Sequence, residues 1–144
     1  MIAIDTNILV YAHRADSEWH EPASRAVAGL AEGAPEWAIP WPCLHEFLAV
    51  VTHPKIFRTP TPAKLALGQI EAWLESPSLV VLSENEESFD ALRDLVLAAK
   101  VGGARVHDAR VAALCVSHGV RELWTADRDF SSFAALKTRN PLVG

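Results

Sequence analysis

The stretch Met1-Ile2-Ala3-Ile4-Asp5-Thr6-Asn7-Ile8-Leu9-Val10-Tyr11-Ala12 decides how the rest of the chain is read. Met1–Asp5 has the make-up of a short buried strand that ends in an acid. From Thr6 to His13 the spacing turns helical, with Ile8, Leu9 and Ala12 on one face. Working outward, strand-like and helix-like segments keep alternating. His20–Leu30 reads as a helix that tolerates Pro22 in its first turn. Trp37–Ile39 is a candidate short strand, broken by Pro40, Trp41 and Pro42, and Pro42 opens a helix Pro42–Thr52. Thr61–Glu75 is expected to be helical with Thr61 as N-cap and Pro62 in its first position. Pro77 stops it before Leu79–Ser83, the clearest strand. A helix Glu86–Lys100 ends at the Gly102–Gly103 pair, and His107–His118 forms another, closed by Gly119. Glu122–Thr125 is a strand, with a last strand near Leu136–Arg139. Strands separated by helices point to an α/β fold, a mainly parallel sheet covered on both faces.

Composition sets bounds. At 144 residues and 50% hydrophobic the chain suits one compact domain that buries roughly 70% of its extended surface without disulfide or metal. Its longest strongly apolar runs, Val111–Val116 and Phe47–Val51, fall far short of the ~20 residues of a membrane span. The N-terminus lacks a cationic stretch and Asp5 interrupts its apolar residues, so no signal peptide is expected. Cys43 and Cys115 form no CxxC pattern and read as reduced core residues of a cytoplasmic protein. The net charge is −5, from 18 acidic and 13 basic residues, which argues against nucleic-acid binding through bulk positive charge. It leaves open a protein that holds phosphate through metal ions.

The acids carry the chemistry. In an open parallel sheet, functional groups gather where strands end and helices begin. Asp5 ends the first strand; Asp127 follows Glu122–Thr125, with Asp129 two residues on. Asp108 lies in the first turn of its helix on the side of Val111, Ala112 and Cys115. Glu46 is the only formal charge within Leu44–Val51, aligned with Ala49 and Val50. Each alone has an ordinary explanation as a cap, a dipole partner, a turn residue or a surface charge. Together at one sheet edge they would repel by about 1 kcal/mol per pair in water at ~4 Å, and about 4 at an effective dielectric of 20. A divalent ion removes that penalty, and oxygen-only ligands select Mg²⁺ or Mn²⁺ over zinc. Such a site suits phosphodiester hydrolysis. No P-loop, GxSxG elbow or Cys/His nucleophile pattern competes, and His45-Glu46 fails as an HExxH motif because the fifth residue is Ala49.

Four segments in this order, Ile4–Ala12, Glu46 early in a helix, His107-Asp108-Ala109, and Thr125-Ala126-Asp127-Arg128-Asp129-Phe130, resemble the PIN domain, and more closely the VapC toxins of bacterial type II toxin–antitoxin systems. The resemblance spans essentially all 144 residues as a single PIN domain. It implies a three-layer α/β/α fold with about five strands and a Mg²⁺-dependent endoribonuclease, Mn²⁺ substituting, that cuts structured RNA such as tRNA or rRNA loops. By position, Asp5, Glu46, Asp108 and Asp127 match the catalytic acids. These four and Asp129 are the implied metal ligands, with Thr6, Asn7 and Thr125 orienting carboxylates by hydrogen bonds. A homodimer and a VapB-type antitoxin whose C-terminal segment fills the acidic groove are also implied.

Among basic residues, Arg14 and Arg128 lie nearest the motifs and are candidate substrate contacts, against the ordinary reading of solvated surface charge. Arg105, Arg110, Lys55 and Arg58 are further rim candidates. Trp41, between two prolines, reads as packing more than as a base-stacking surface. Thr52–Pro62, with three prolines, is the expected mobile loop near Glu46. Three alternatives compete. An HD-type phosphohydrolase is suggested by His107-Asp108, but that family is all-helical. A catalytically silent PIN-like RNA- or protein-binding module would show a degenerate acid set. A phospho-receiver would need an acidic pair at the first strand, where only Asp5 stands.

Overall fold

A computed structural model describes all residues, 1–144. Five strands, β1 (Ile2–Ile4), β2 (Trp37–Pro40), β3 (Leu79–Leu82), β4 (Glu122–Trp124) and β5 (Thr138–Arg139), form one sheet in the order β3-β2-β1-β4-β5. Every pairing is parallel, with Ile4 opposite Trp124 and Ile39 opposite Val81. Ala3, Ile4, Trp37, Ala38, Ile39, Leu82 and Leu123 are fully buried. That is the make-up expected of strands covered on both faces. No helix is long and apolar enough to cross a membrane.

The strand order dictates where a site forms. The chain steps outward from β1 to β2 and β3, then returns to the other side of β1 for β4 and β5. The reversal leaves a crevice beyond the carboxyl ends of β1 and β4, the topological switch point. Right-handed crossovers put the outward helices on one face and the returning pair on the other. Accordingly α1 (Thr6–His13) packs on α2 (His20–Glu32) and α3 (Trp41–Val51), and α3 on α4 (Ala63–Leu74). The returning helices α5 (Ser88–Ala99) and α6 (Arg105–Ser117) pack on each other.

Several helix ends differ from the sequence reading, each for a local reason. Thr61 does not cap α4; Pro62 takes that position. The Thr61 hydroxyl is buried instead between His13 Nε2, at 3.1 Å, and Arg14 Nη1, at 3.3 Å. Helix α5 ends before the glycine pair because Lys100 itself adopts the left-handed conformation, φ 56° and ψ 41°. That bend lets the Val101 N–H reach the Val96 carbonyl. Gly103, at φ 60°, then turns the chain into α6, which begins two residues earlier than expected, at Arg105. Gly119, at φ 69°, closes α6 as anticipated. Trp41 does not pack into the core; it stays 40% exposed with its ring against His45 at 4.7 Å.

Lys100 holds a conformation that disfavours a Cβ. Lys100→Gly is expected to raise stability by about 0.5–1 kcal/mol, strain relief outweighing the greater chain entropy of glycine. A urea titration showing no gain would disprove the strain.

Candidate active site

Asp5 follows β1 and caps α1, its Oδ1 accepting from the Thr6 N–H at 2.8 Å. Thr125, just past β4, donates its hydroxyl to Oδ2 at 2.8 Å. The thiol of Cys43, in the first turn of α3, donates to Oδ1 at 3.6 Å. Asp5 is only 7% exposed. Burial pushes its pKa up; the bonds from Thr125, Thr6 and Cys43 pull it down, and the Asp108 charge adds to the rise.

Thr125 is shared among several partners. Its oxygen also accepts from Asn7 Nδ2 at 3.4 Å and from the Asp127 N–H at 3.0 Å. Asn7 Oδ1 accepts from the Ala126 N–H at 3.2 Å, so α1 straps down the turn that follows β4. Asp127 Oδ1 in turn accepts from the Asp129 N–H at 2.9 Å and caps the 3₁₀ turn Arg128–Ser132. Of the three residues expected to orient carboxylates, Thr125 bonds Asp5 through its side chain, Thr6 does so only through its backbone N–H, and Asn7 bonds no carboxylate directly but holds Thr125 and the Ala126 N–H.

A cavity of about 310 Å³ opens on this network, lined by Asp5, Glu46, Asp108 and Asp127 together with Thr6, Asn7 and His107. Its remaining wall is apolar. Glu46 stands at the rim, on the outward side of α3, whose buried residues are Cys43, Leu44, Phe47 and Val51. Its pKa is raised by partial burial and then by the Asp5 and Asp108 charges. The Asp108 carboxyl is also raised, chiefly by burial, with Asp127 and Asp129 adding and Arg105 opposing. Burial is the leading cause of all three rises, with neighbouring carboxylate charges adding to each.

Not every expected residue reaches the cavity. Asp129 is exposed and does not line it; its carbonyl accepts from Arg105 instead. Arg128 is exposed on the 3₁₀ turn, outside the lining. Arg14 also lies outside it, engaged by Asp16 at 2.9 and 2.6 Å and by the Thr59 carbonyl at 2.8 Å. The expected mobile loop is therefore tied to the body by Arg14. Conversely, Arg105 holds the site together: it donates to Asp108 Oδ2 at 3.4 Å, to the Asp129 carbonyl at 2.8 Å and to Ser132 Oγ at 2.9 Å. Its i, i+3 spacing from Asp108 is visible in the sequence once the helix is extended to Arg105. Cys43 had no such signal, because only the approach of α3 to β1 brings it to Asp5.

Residues 2–136 match the family model for the PIN domain, and the chain belongs to that family. Within it the chain belongs with the VapC ribonucleases. It is 33% identical to ribonuclease VapC43 of Mycobacterium tuberculosis over 144 residues, covering 100% of this chain and 97% of the relative. It is 31% identical to ribonuclease VapC37 of the same organism over 98% of this chain and 97% of that one. The fold matches a chain of VapBC2 from Rickettsia felis, solved bound to a promoter DNA fragment, with TM-score 0.72, 18% identity and coverage of 97% and 98%.

Ribonucleases of this family generally depend on a divalent metal ion. The donor set here fits a hard cation: its charged members are all carboxylates, and they repel one another. Thr6, a residue of the cavity lining, carries the one buried side-chain oxygen or nitrogen without a hydrogen-bond partner, its Oγ1. Nowhere do three His, Cys, Asp or Glu side chains already stand close enough together to hold an ion. The carboxylates share a cavity without converging on one point.

Two tests follow from the electrostatics. Glu46 is in no salt bridge, and its folded pKa lies above the ordinary value although the His107 ring opposes the rise. Its contribution to stability is thus full in acid and lost as pH rises through the folded pKa. In EDTA at neutral pH, Glu46→Gln is expected to melt roughly 1–3 °C above wild type. The gain should vanish on acidification below the ordinary carboxylate range; a gain independent of pH would contradict this origin. Thr125→Val, which removes one donor to Asp5, is expected to weaken Mn²⁺ binding by about 10–100-fold by calorimetry, while Thr125→Ser retains it. Equal affinities in both variants would remove Thr125 from the site.

Proposed function

We propose that this protein is the toxin of a type II toxin–antitoxin pair, an endoribonuclease that hydrolyses RNA phosphodiester bonds with Mg²⁺, Mn²⁺ substituting. The observation that carries this reading is one cavity at the switch point lined by Asp5, Glu46, Asp108 and Asp127 from four separate segments. The full-length similarity to VapC ribonucleases supports it. So does the fold shared with VapC20 of Mycobacterium tuberculosis, described as a sarcin-ricin loop cleaving toxin, at TM-score 0.66 and 20% identity over 95% of this chain and 99% of that one. The whole of residues 1–144 acts as one PIN domain in this reading. Its substrate is a tRNA or rRNA loop, its inhibitor a VapB-type antitoxin, and its assembled form a homodimer.

Asp5 and Asp108 would hold the ion, with Glu46 and Asp127 completing the set. When bound, the ion lowers the pKa of water and offsets charge on the phosphate and leaving oxygen. The chain's own groups prepare that step. Thr125, Thr6 and Cys43 fix the orientation of the Asp5 carboxylate, so no reorganisation is needed as charge develops. Asn7 and Thr125 fix the turn that carries Asp127. Glu46, held in no salt bridge and raised in pKa, is suited to take the proton of the attacking water on its carboxylate oxygen.

Purified protein incubated with total RNA and Mg²⁺ or Mn²⁺ should yield discrete fragments whose ends, sequenced, identify the target. Asp5→Asn and Asp108→Asn are expected to lower the rate at least ~100-fold, and EDTA to abolish it. Cleavage that persists in EDTA, or equally in both variants, would refute the proposal.

A further inference from the structure

The acidic half of the cavity accounts for a phosphate and its metal; the other half does not. Its apolar wall includes Val10, Tyr11, Val50, Ile56 and Phe57. Ile56 is 54% exposed, although water would disfavour an unpartnered side chain of that size. Phe57 is held in place from outside the cavity: the Arg14 guanidinium lies over its ring, 4.1 Å from the centroid. Arg14 is itself fixed by Asp16, by the Thr59 carbonyl and by Thr61. The loop therefore presents a preformed aromatic surface to the cavity. Tyr11, on the same wall, accepts through its backbone carbonyl from His20 Nδ1 when that nitrogen carries the proton, while its hydroxyl makes no hydrogen bond within the protein.

We propose that this wall seats an unstacked nucleobase next to the scissile phosphate, with Phe57 as its platform and the Tyr11 hydroxyl reading a polar edge. The inference rests on the ribonuclease reading and deepens it. It is carried by continuity: the wall and the four carboxylates bound one cavity, so a chain whose phosphate lies against the acids brings its adjoining nucleoside against Phe57 and Ile56. A flat ring with hydrogen-bonding edges fits an aromatic wall bearing one free hydroxyl. The base must leave its stack to reach this wall.

The test uses the cleavage site mapped in total RNA, placed in a 12-nucleotide single-stranded oligoribonucleotide. It is made either unmodified or with abasic ribose at the nucleotides flanking the cut. For wild type, base removal is expected to raise KM by roughly 5–100-fold, with kcat within about twofold. Phe57→Ala should show the same rise on the unmodified oligonucleotide and little further rise on the abasic one, while Phe57→Tyr keeps wild-type values. If Phe57→Ala does not fold, Ile56→Ala, at a half-exposed position, carries the same comparison with a smaller rise. Wild-type KM in both alanine variants, or effects of side chain and base removal that multiply, would overturn the pocket. So would unchanged KM accompanied by weaker inhibition by an antitoxin, which would assign the wall to a protein partner. If wild type cuts no RNA at all, the ribonuclease reading fails first and the nucleobase pocket falls with it.

Discussion

The buried carboxylate of Asp5 is the constraint on which the rest of the site depends. A carboxylate at this depth needs donors, since an ion moved from water without them is strongly disfavoured. The chain supplies three, each from a different segment: the Thr6 amide at the start of α1, the Thr125 hydroxyl past β4 and the Cys43 thiol on α3. Satisfying Asp5 therefore fixes the mutual positions of β1, β4 and α3. The same hydroxyl, through Asn7 and the Asp127 amide, sets the turn that bears the fourth acid. One polar requirement organises both the switch point and the chemistry placed there.

The donors leave the site undercompensated. Burial and mutual repulsion raise the pKa values of Asp5, Glu46 and Asp108, and Arg105 pairs with only one of them. A folded protein retains such an arrangement where a cation completes it, because strain at a functional site is tolerated when the surrounding core supports it. That support is a continuous core of 28 buried residues beneath the cavity. The net charge of −5, awkward for a protein that handles RNA, is thus partly a property of four acids spread around one cavity. No lysine or arginine lines the cavity.

Where the sequence could be read and where it could not follows a physical division. The strands and the cores of the helices were legible because burial on both sheet faces and on one helix face leaves a repeating pattern in the chain. The acids were legible for a different reason: a charge within an apolar segment, such as Glu46 in Leu44–Val51, breaks that pattern. Helix ends were less legible. Thr61 looks like a cap, but its hydroxyl is taken by His13 and Arg14, residues about 48 positions earlier in the chain. Lys100 bends left-handed where the nearby glycines would have been cheaper. Asp127 and Asp129 are equivalent as letters; the bond from the Asp129 amide to Asp127 turns one acid into the cavity's lining and leaves the other exposed.

The sequence by itself determined the alternation of strand and helix, the parallel sheet and the identity of the acids, since all three arise from local patterns of side-chain type. The tertiary structure alone decided which groups share a volume. It buried Asp5 under Cys43 and Thr125, moved Arg14 from a presumed substrate contact to the clamp behind Phe57, and made Arg105 the bridge between α6 and the 3₁₀ turn. Those outcomes depend on contacts between segments tens to more than a hundred residues apart, and no local periodicity encodes them. The chemistry of the site is written along the chain, while its geometry exists only after β1 and β4 have paired.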